Sequence, residues 1–121
     1  MSQKALIVDD TKLICDIFSQ QLVACGFQAR SCNSLDDTIN IVQVWQPDVV
    51  FLDLRMPGHD GFAVIEQLHA KFSAPPKVIA VSGEASGLVR LQVEEAGFAG
   101  FLVKPFRIAQ VLAILKKVLA E

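Results

Sequence analysis

The chain has 121 residues, 52% of them hydrophobic and 20% charged, with a formal net charge of −2. That length suits one domain, here taken as residues 1–121, and the apolar content supports a packed core, which argues against disorder. The balance of charge gives no basic patch for nucleic acid or a membrane surface, and no apolar run reaches the roughly 18 residues of a membrane span or follows residues 1–4 as a signal segment, so a soluble cytoplasmic protein is expected.

The first element is a short apolar run, Ala5–Val8, ending on Asp9 and Asp10. Residues 12–25 switch to helical spacing, with Ile14, Ile17, Phe18, Leu22 and Cys25 as the expected buried stripe and Gly26 as the stop. Phe27–Cys32 is a more polar strand, expected nearer an edge. Ser34 and Asp37 have capping-box-like spacing before a helix carrying Leu35, Ile39, Val42 and Trp45, which Pro47 closes. The three cysteines, Cys15, Cys25 and Cys32, lack C-x-x-C spacing and are expected to be reduced thiols. Residues 48–53 form the central strand, apolar from Val49 to Leu52 and ending on Asp53.

Asp60 is the expected N-cap of a third helix with the stripe Phe62, Ile65, Leu68 and Phe72. After Pro75-Pro76, Lys77–Val81 is a buried-type strand ending on Ser82-Gly83. Residues 84–97 read as a helix with Leu88, Leu91 and Glu95 in register and a loose start between Gly83 and Gly87. Gly100–Val103 is the last strand, ending on Lys104-Pro105. Residues 107–120 are the last helix, with Ile108, Val111, Leu112, Leu115, Val118 and Leu119, and with Ile114 expected at the surface. Alternation of this kind predicts an α/β fold: a doubly wound, flavodoxin-like parallel sheet of order 2-1-3-4-5 with five helices.

In such a sheet, ligand chemistry gathers at the carboxyl ends of the strands. Those ends carry Asp9 and Asp10, Asp53, Ser82, and Lys104. Taken singly, each has an ordinary explanation as a turn residue, a helix start or a surface lysine. Their joint occurrence on separate strand ends is what points to a site. Three crowded acids repel one another unless a cation joins them, and a hard divalent ion such as Mg²⁺ takes carboxylate and phosphate oxygens. Lys104 offers a point charge for a phosphoryl oxygen and Ser82 a hydroxyl donor. The set reads as phosphoryl transfer with Asp53 as nucleophile.

The residues Asp9-Asp10, Leu52-Asp53-Leu54, Met56-Pro57-Gly58 with Asp60-Gly61, Ser82-Gly83 and Lys104-Pro105-Phe106 resemble the receiver domain of two-component response regulators over essentially the whole chain. The resemblance implies that Asp53 takes a phosphoryl group from a phosphohistidine on a sensor histidine kinase or histidine phosphotransfer protein. It implies Mg²⁺ held by Asp10, Asp53 and the backbone carbonyl of Arg55, with Asp9 assisting mostly through water. Lys104 would pair with the phosphoryl group and Ser82 would bind it. A cis peptide at Lys104-Pro105 is expected. The chain would be a phosphoacceptor that assists its own phosphorylation and dephosphorylation rather than an ordinary enzyme. Its partners would be the donor, a downstream effector or output domain, and a second copy if it dimerises, with no direct nucleic-acid or membrane binding.

Phosphorylation adds roughly −1.5 to −2 charges and three acceptor oxygens. Drawing Ser82 inward would pull the Gly83–Gly87 loop and open space for Phe101, at the family's aromatic switch position, to change the surface formed by the fourth helix, fifth strand and fifth helix. Phe101 lacks a hydroxyl, so packing must carry the signal. Arg55 and Glu84 are expected to face each other across the mouth of the site and limit water access. The alternative is a phosphorylation-independent interaction module of the same fold. A flavodoxin lacks support because two acids stand where its phosphate loop would lie. A haloacid-dehalogenase-type phosphatase needs a second acid where the chain has Arg55, and no P-loop motif is present.

Overall fold

In the chain, apolar runs and amphipathic stretches become β1 (Lys4–Val8), α1 (Lys12–Ala24), β2 (Gln28–Cys32), α2 (Leu35–Trp45), β3 (Val49–Asp53), α3 (Gly61–Lys71), β4 (Lys77–Ser82), α4 (Gly87–Glu95), β5 (Gly100–Val103) and α5 (Ile108–Val118). A computed structural model describes residues 3–56 and 58–120, so Pro57 of the Met56-Pro57-Gly58 motif lies outside the described residues. Among them, the five parallel strands form one sheet in the order β2-β1-β3-β4-β5. This is the expected doubly wound arrangement, with the polar β2 at an edge.

Strand alternation divides the core in two, because successive side chains leave a strand on opposite faces. Leu6, Val8, Val50, Leu52, Val78 and Ala80 face Val42 of α2, Val64, Ile65 and Leu68 of α3, and Val93 of α4. Ala5, Ile7, Val49, Phe51, Ile79 and Val81 face Cys15, Phe18 and Leu22 of α1 and Val111, Leu115 and Val118 of α5. The central β3 is buried along its whole length. Polar atoms inside are paired: no buried side-chain nitrogen or oxygen among the described residues lacks a hydrogen-bond partner.

Caps set the helix starts. Ser34 Oγ accepts from the Asp37 N–H at 3.1 Å and Asp60 Oδ1 from the Phe62 N–H at 3.0 Å, as the sequence predicts. At the end of α1, Gly26 takes φ +96°, a left-handed conformation that stops the helix, and the Phe27 N–H returns to Leu22 O at 3.0 Å.

Three expectations are corrected. The buried face of α1 is Cys15, Phe18 and Leu22, whereas Ile14 and Ile17 are 38% and 50% exposed and Cys25 is also exposed. In α4, Leu88 and Leu91 point outward; Val93 is buried and Val89 and Ala96 pack against the core instead. That helix begins at Gly87 because Ser86 caps it, its Oγ accepting from the Val89 N–H at 3.3 Å. In α5, Ile114 is half-buried, its end lying where a side chain on Gly100 would go, while Leu112 is the exposed residue. In each case two apolar rows compete for the sheet, and packing against the strands selects one.

A feature with no counterpart in the sequence reading is a short antiparallel ribbon after β3, Arg55–Met56 against His59–Asp60. No helix among the described residues is long and apolar enough to cross a membrane.

Candidate functional site

Four strand ends converge on one rim because the parallel strands all run the same way. β1 runs into Asp9, whose N–H extends the ladder to Cys32 O at 3.1 Å. Asp53 is the last residue of β3 and Ser82 the last of β4. Lys104 follows β5, tied by its N–H to Ser82 O at 2.8 Å. Asp9, Asp53 and Ser82 are buried, Lys104 is half-buried and Asp10 is exposed. The Lys104-Pro105 peptide is cis, as expected.

Lys104 Nζ donates to Asp53 Oδ2 at 2.8 Å and to Asp9 Oδ2 at 3.1 Å. The remaining carboxylate oxygens are held by backbone: the Arg55 N–H donates to Asp53 Oδ1 and the Thr11 N–H to Asp9 Oδ1, both at 2.9 Å. Burial pushes the Asp9 carboxyl up, but the Thr11 N–H and the Lys104 ammonium together outweigh it and hold the group below the usual carboxylate range. For Lys104, burial favours the neutral amine, yet the hydrogen bonds and charges of Asp53 and Asp9 raise it above the ordinary lysine value. The lysine is a fixed positive charge beside Asp53.

Asp9, Asp10 and Asp53 each place a carboxylate oxygen within 4.8 Å of the others. Three hard oxygen donors at this spacing, on an open rim, fit a divalent cation such as Mg²⁺ better than a softer metal, which would seek sulfur or imidazole. Asp10 is the acid closest to solvent and borders a groove of about 370 Å³ that also reaches Asp37 and Ser31.

Around this centre stand the expected switch and tuning residues. Ser82 Oγ accepts from the Glu84 N–H at 3.0 Å, which leaves its own proton free to donate. Arg55 and Glu84 do face each other, with Nη2 donating to Oε1 at 2.6 Å. Phe101 is half-buried against the core, and the Arg90 guanidinium lies over its ring, 5.0 Å from the centroid.

Sequence reasoning missed three parts of this arrangement. The Asp9 to Thr11 bond is an Asx turn, and the acid-x-threonine spacing was a usable signal. The second bond of Lys104, to Asp9, spans 95 residues and leaves no local mark. The Arg90–Phe101 stack likewise depends on how α4 sits beside β5. The exposed Ile14 and Ile17 also acquire a context: with Phe18, Gln21, Pro105, Phe106 and Lys104 they line a largely apolar groove of about 490 Å³ beside the acids.

Comparison with known proteins adds a family to this geometry. The model for the response regulator receiver domain matches residues 5–116. The chain is similar to a solved CheY-like response regulator receiver domain from Methylobacillus flagellatus, at 31% identity and a TM-score of 0.82, over 98% of this chain and 99% of that one. The chemotaxis response regulator CheY4 of Vibrio cholerae shares the fold at 24% identity and a TM-score of 0.87, over 98% of this chain and 99% of that one. NtrX from Brucella abortus shares it at 24% identity and a TM-score of 0.88, over 98% of this chain but 27% of its own length.

Proposed function

The chain belongs to the response regulator receiver domain family of two-component systems, and from that premise we propose that residues 1–121 act as one receiver domain in which Asp53 is the phosphoacceptor. An Asp53 carboxylate oxygen attacks the phosphorus of a phosphohistidine on a sensor histidine kinase or histidine phosphotransfer protein. The new O–P bond forms as the P–N bond breaks, and the imidazole leaves with the bonding pair. Hydrolysis reverses the modification: water adds to phosphorus, the O–P bond breaks, and the Asp53 carboxylate is restored.

The observation that carries this reading is Lys104 bonded to Asp53 at 2.8 Å and to Asp9 at 3.1 Å beside a third acid, Asp10. Placing positive charge where the transferred oxygens gather is the main catalytic requirement of phosphoryl transfer. Asp10, Asp53 and the Arg55 carbonyl would hold Mg²⁺, with Asp9 assisting mostly through water. When bound, the ion neutralises phosphoryl oxygens and offsets repulsion among the acids. Ser82 donates its free hydroxyl proton to a phosphoryl oxygen. Its movement then draws the 83–87 loop and lets Phe101 repack, changing the α4–β5–α5 surface on which Leu88, Leu91 and Leu112 are exposed. That surface would meet an effector, an output domain or a second copy. The donor would approach over the groove between Ile14, Ile17 and Phe106. A cytoplasmic location is part of the same proposal and rests on the kinase partner.

Intact mass after incubation with a small phosphodonor, with and without Mg²⁺ and beside Asp53→Asn, tests the assignment. A gain of one phosphoryl group that needs both Mg²⁺ and Asp53 is expected. No gain under any condition would favour the phosphorylation-independent interaction module.

A further inference from the structure

Arg55 uses its two ends differently. Its backbone N–H donates to Asp53 Oδ1 at 2.9 Å, which fixes the residue beside the nucleophile. Its guanidinium, 74% exposed, crosses the mouth of the site to Glu84 Oε1 at 2.6 Å. Glu84 is itself a junction. Its other oxygen accepts from Ser86 Oγ at 3.1 Å, its N–H donates to Ser82 Oγ at 3.0 Å, and Ser86 caps α4 through the Val89 N–H at 3.3 Å. One residue on the 83–87 loop, through its carboxylate and its backbone N–H, therefore links Arg55, the hydroxyl at the end of β4 and the start of α4.

Modification of Asp53 upsets the charge balance at this junction. A phosphoryl group brings roughly −1.5 to −2 charges, and Lys104 is already shared between two carboxylates. An exposed ion pair is weak and exchanges readily. A guanidinium, by contrast, matches the oxygens of a phosphoryl group with two parallel donors and binds them more strongly than a lone carboxylate at the surface. We propose that Arg55 is a two-position phosphoryl ligand: it rests on Glu84 while Asp53 is unmodified and swings onto the phosphoryl oxygens once Asp53 is modified. This inference rests on Asp53 being the phosphoacceptor. Arg55 is then a catalytic residue that touches the transferred group, not a lid over it. Its departure leaves Glu84 without its cation and frees the loop that Ser82 must move.

The test is the affinity of the full chain for beryllofluoride, a phosphoryl mimic, titrated with Mg²⁺ and followed by amide NMR. It compares wild type, Asp53→Asn, Glu84→Gln, Arg55→Ala and the Glu84→Gln/Arg55→Ala double variant. Glu84 and Arg55 are exposed side chains whose replacement leaves the core untouched. Wild type binds and Asp53→Asn does not. Glu84→Gln binds about three- to fivefold tighter, the range an exposed pair can withhold, and Arg55→Ala binds more weakly than wild type. The double variant matches Arg55→Ala, because Glu84 acts through Arg55. Unchanged affinity in Glu84→Gln overturns the proposal. So does equal tightening in the Arg55→Ala background, which would make the effect a general loss of negative charge. If wild type itself binds none, the phosphoacceptor assignment is what has failed, and this inference falls with it.

Discussion

Lys104 carries a heavier electrostatic role than any other side chain at the rim. Its ammonium bonds to two buried carboxylates on two different strand ends, while the backbone N–H groups of Thr11 and Arg55 hold the opposite oxygens. Removing it strands both acids beside Asp10. Lys104→Ala should lower the unfolding free energy at neutral pH by about 2 kcal/mol, the cost of leaving charge-assisted bonds of buried groups unmade, and urea midpoints measure it. The direction with pH follows from the shifts. Asp9 is held below the usual carboxylate range, so its contribution is full above that range and is lost as pH falls through the lowered value. Lys104 is raised, so its contribution is full below the ordinary lysine value and is lost only above the raised one. Denaturant midpoints followed from neutral to acidic pH should therefore fall for the wild type, with a shallower acid limb in Asp9→Asn.

The elements place these residues through a few close approaches of backbone. The ribbon after β3 turns the chain so that Gly61 opens α3 against Leu54. A Cβ at Gly61 would lie 2.9 Å from Leu54 Cα and 2.8 Å from Leu54 Cδ2. Backbone cannot yield as a flexible side-chain end can. Gly61→Ala should cost about 1–3 kcal/mol of stability through overpacking, read from thermal or urea unfolding. Because the same segment carries Arg55, the substitution should also disturb the Asp53 environment, visible as shifts of the Arg55 and Asp53 amides. Gly100 offers a contrast. The atom nearest a Cβ there is the end of the Ile114 side chain, at 2.7 Å, which another rotamer can move aside.

For the whole molecule, the sheet buries two apolar layers and leaves its charged chemistry at one rim, where two of three crowded acids share one lysine. A ligand that binds the folded rim and not the unfolded chain raises stability by mass action. Mg²⁺ should therefore raise the melting temperature of wild type in proportion to the logarithm of its concentration once above its dissociation constant. Asp10→Asn should lose that dependence while keeping the fold. Equal shifts in both proteins would show that the ion acts elsewhere.

The alternation of strands and helices, the edge position of β2, the caps at Ser34 and Asp60, and the polar residues that end the strands were all legible in the sequence. These are properties of short stretches: run length, spacing and capping chemistry act within a few residues. The pairing of Arg55 with Glu84 was also legible, because both follow strand ends that the sheet order makes neighbours. Which apolar row α1 and α4 bury was set by packing on the sheet, whereas the stripes expected for α2 and α3 do face the core. Ile14 and Ile17 are as apolar as the residues α1 buries, and Leu88 and Leu91 as apolar as Val89 and Val93, so composition cannot choose between them; the seating of each helix on the sheet does. Tertiary structure also decided that Lys104 bonds Asp9 as well as Asp53, and that Arg90 covers Phe101. Those contacts join segments far apart in the chain or set by helix placement, and their geometry exists only once the core has fixed every element at once.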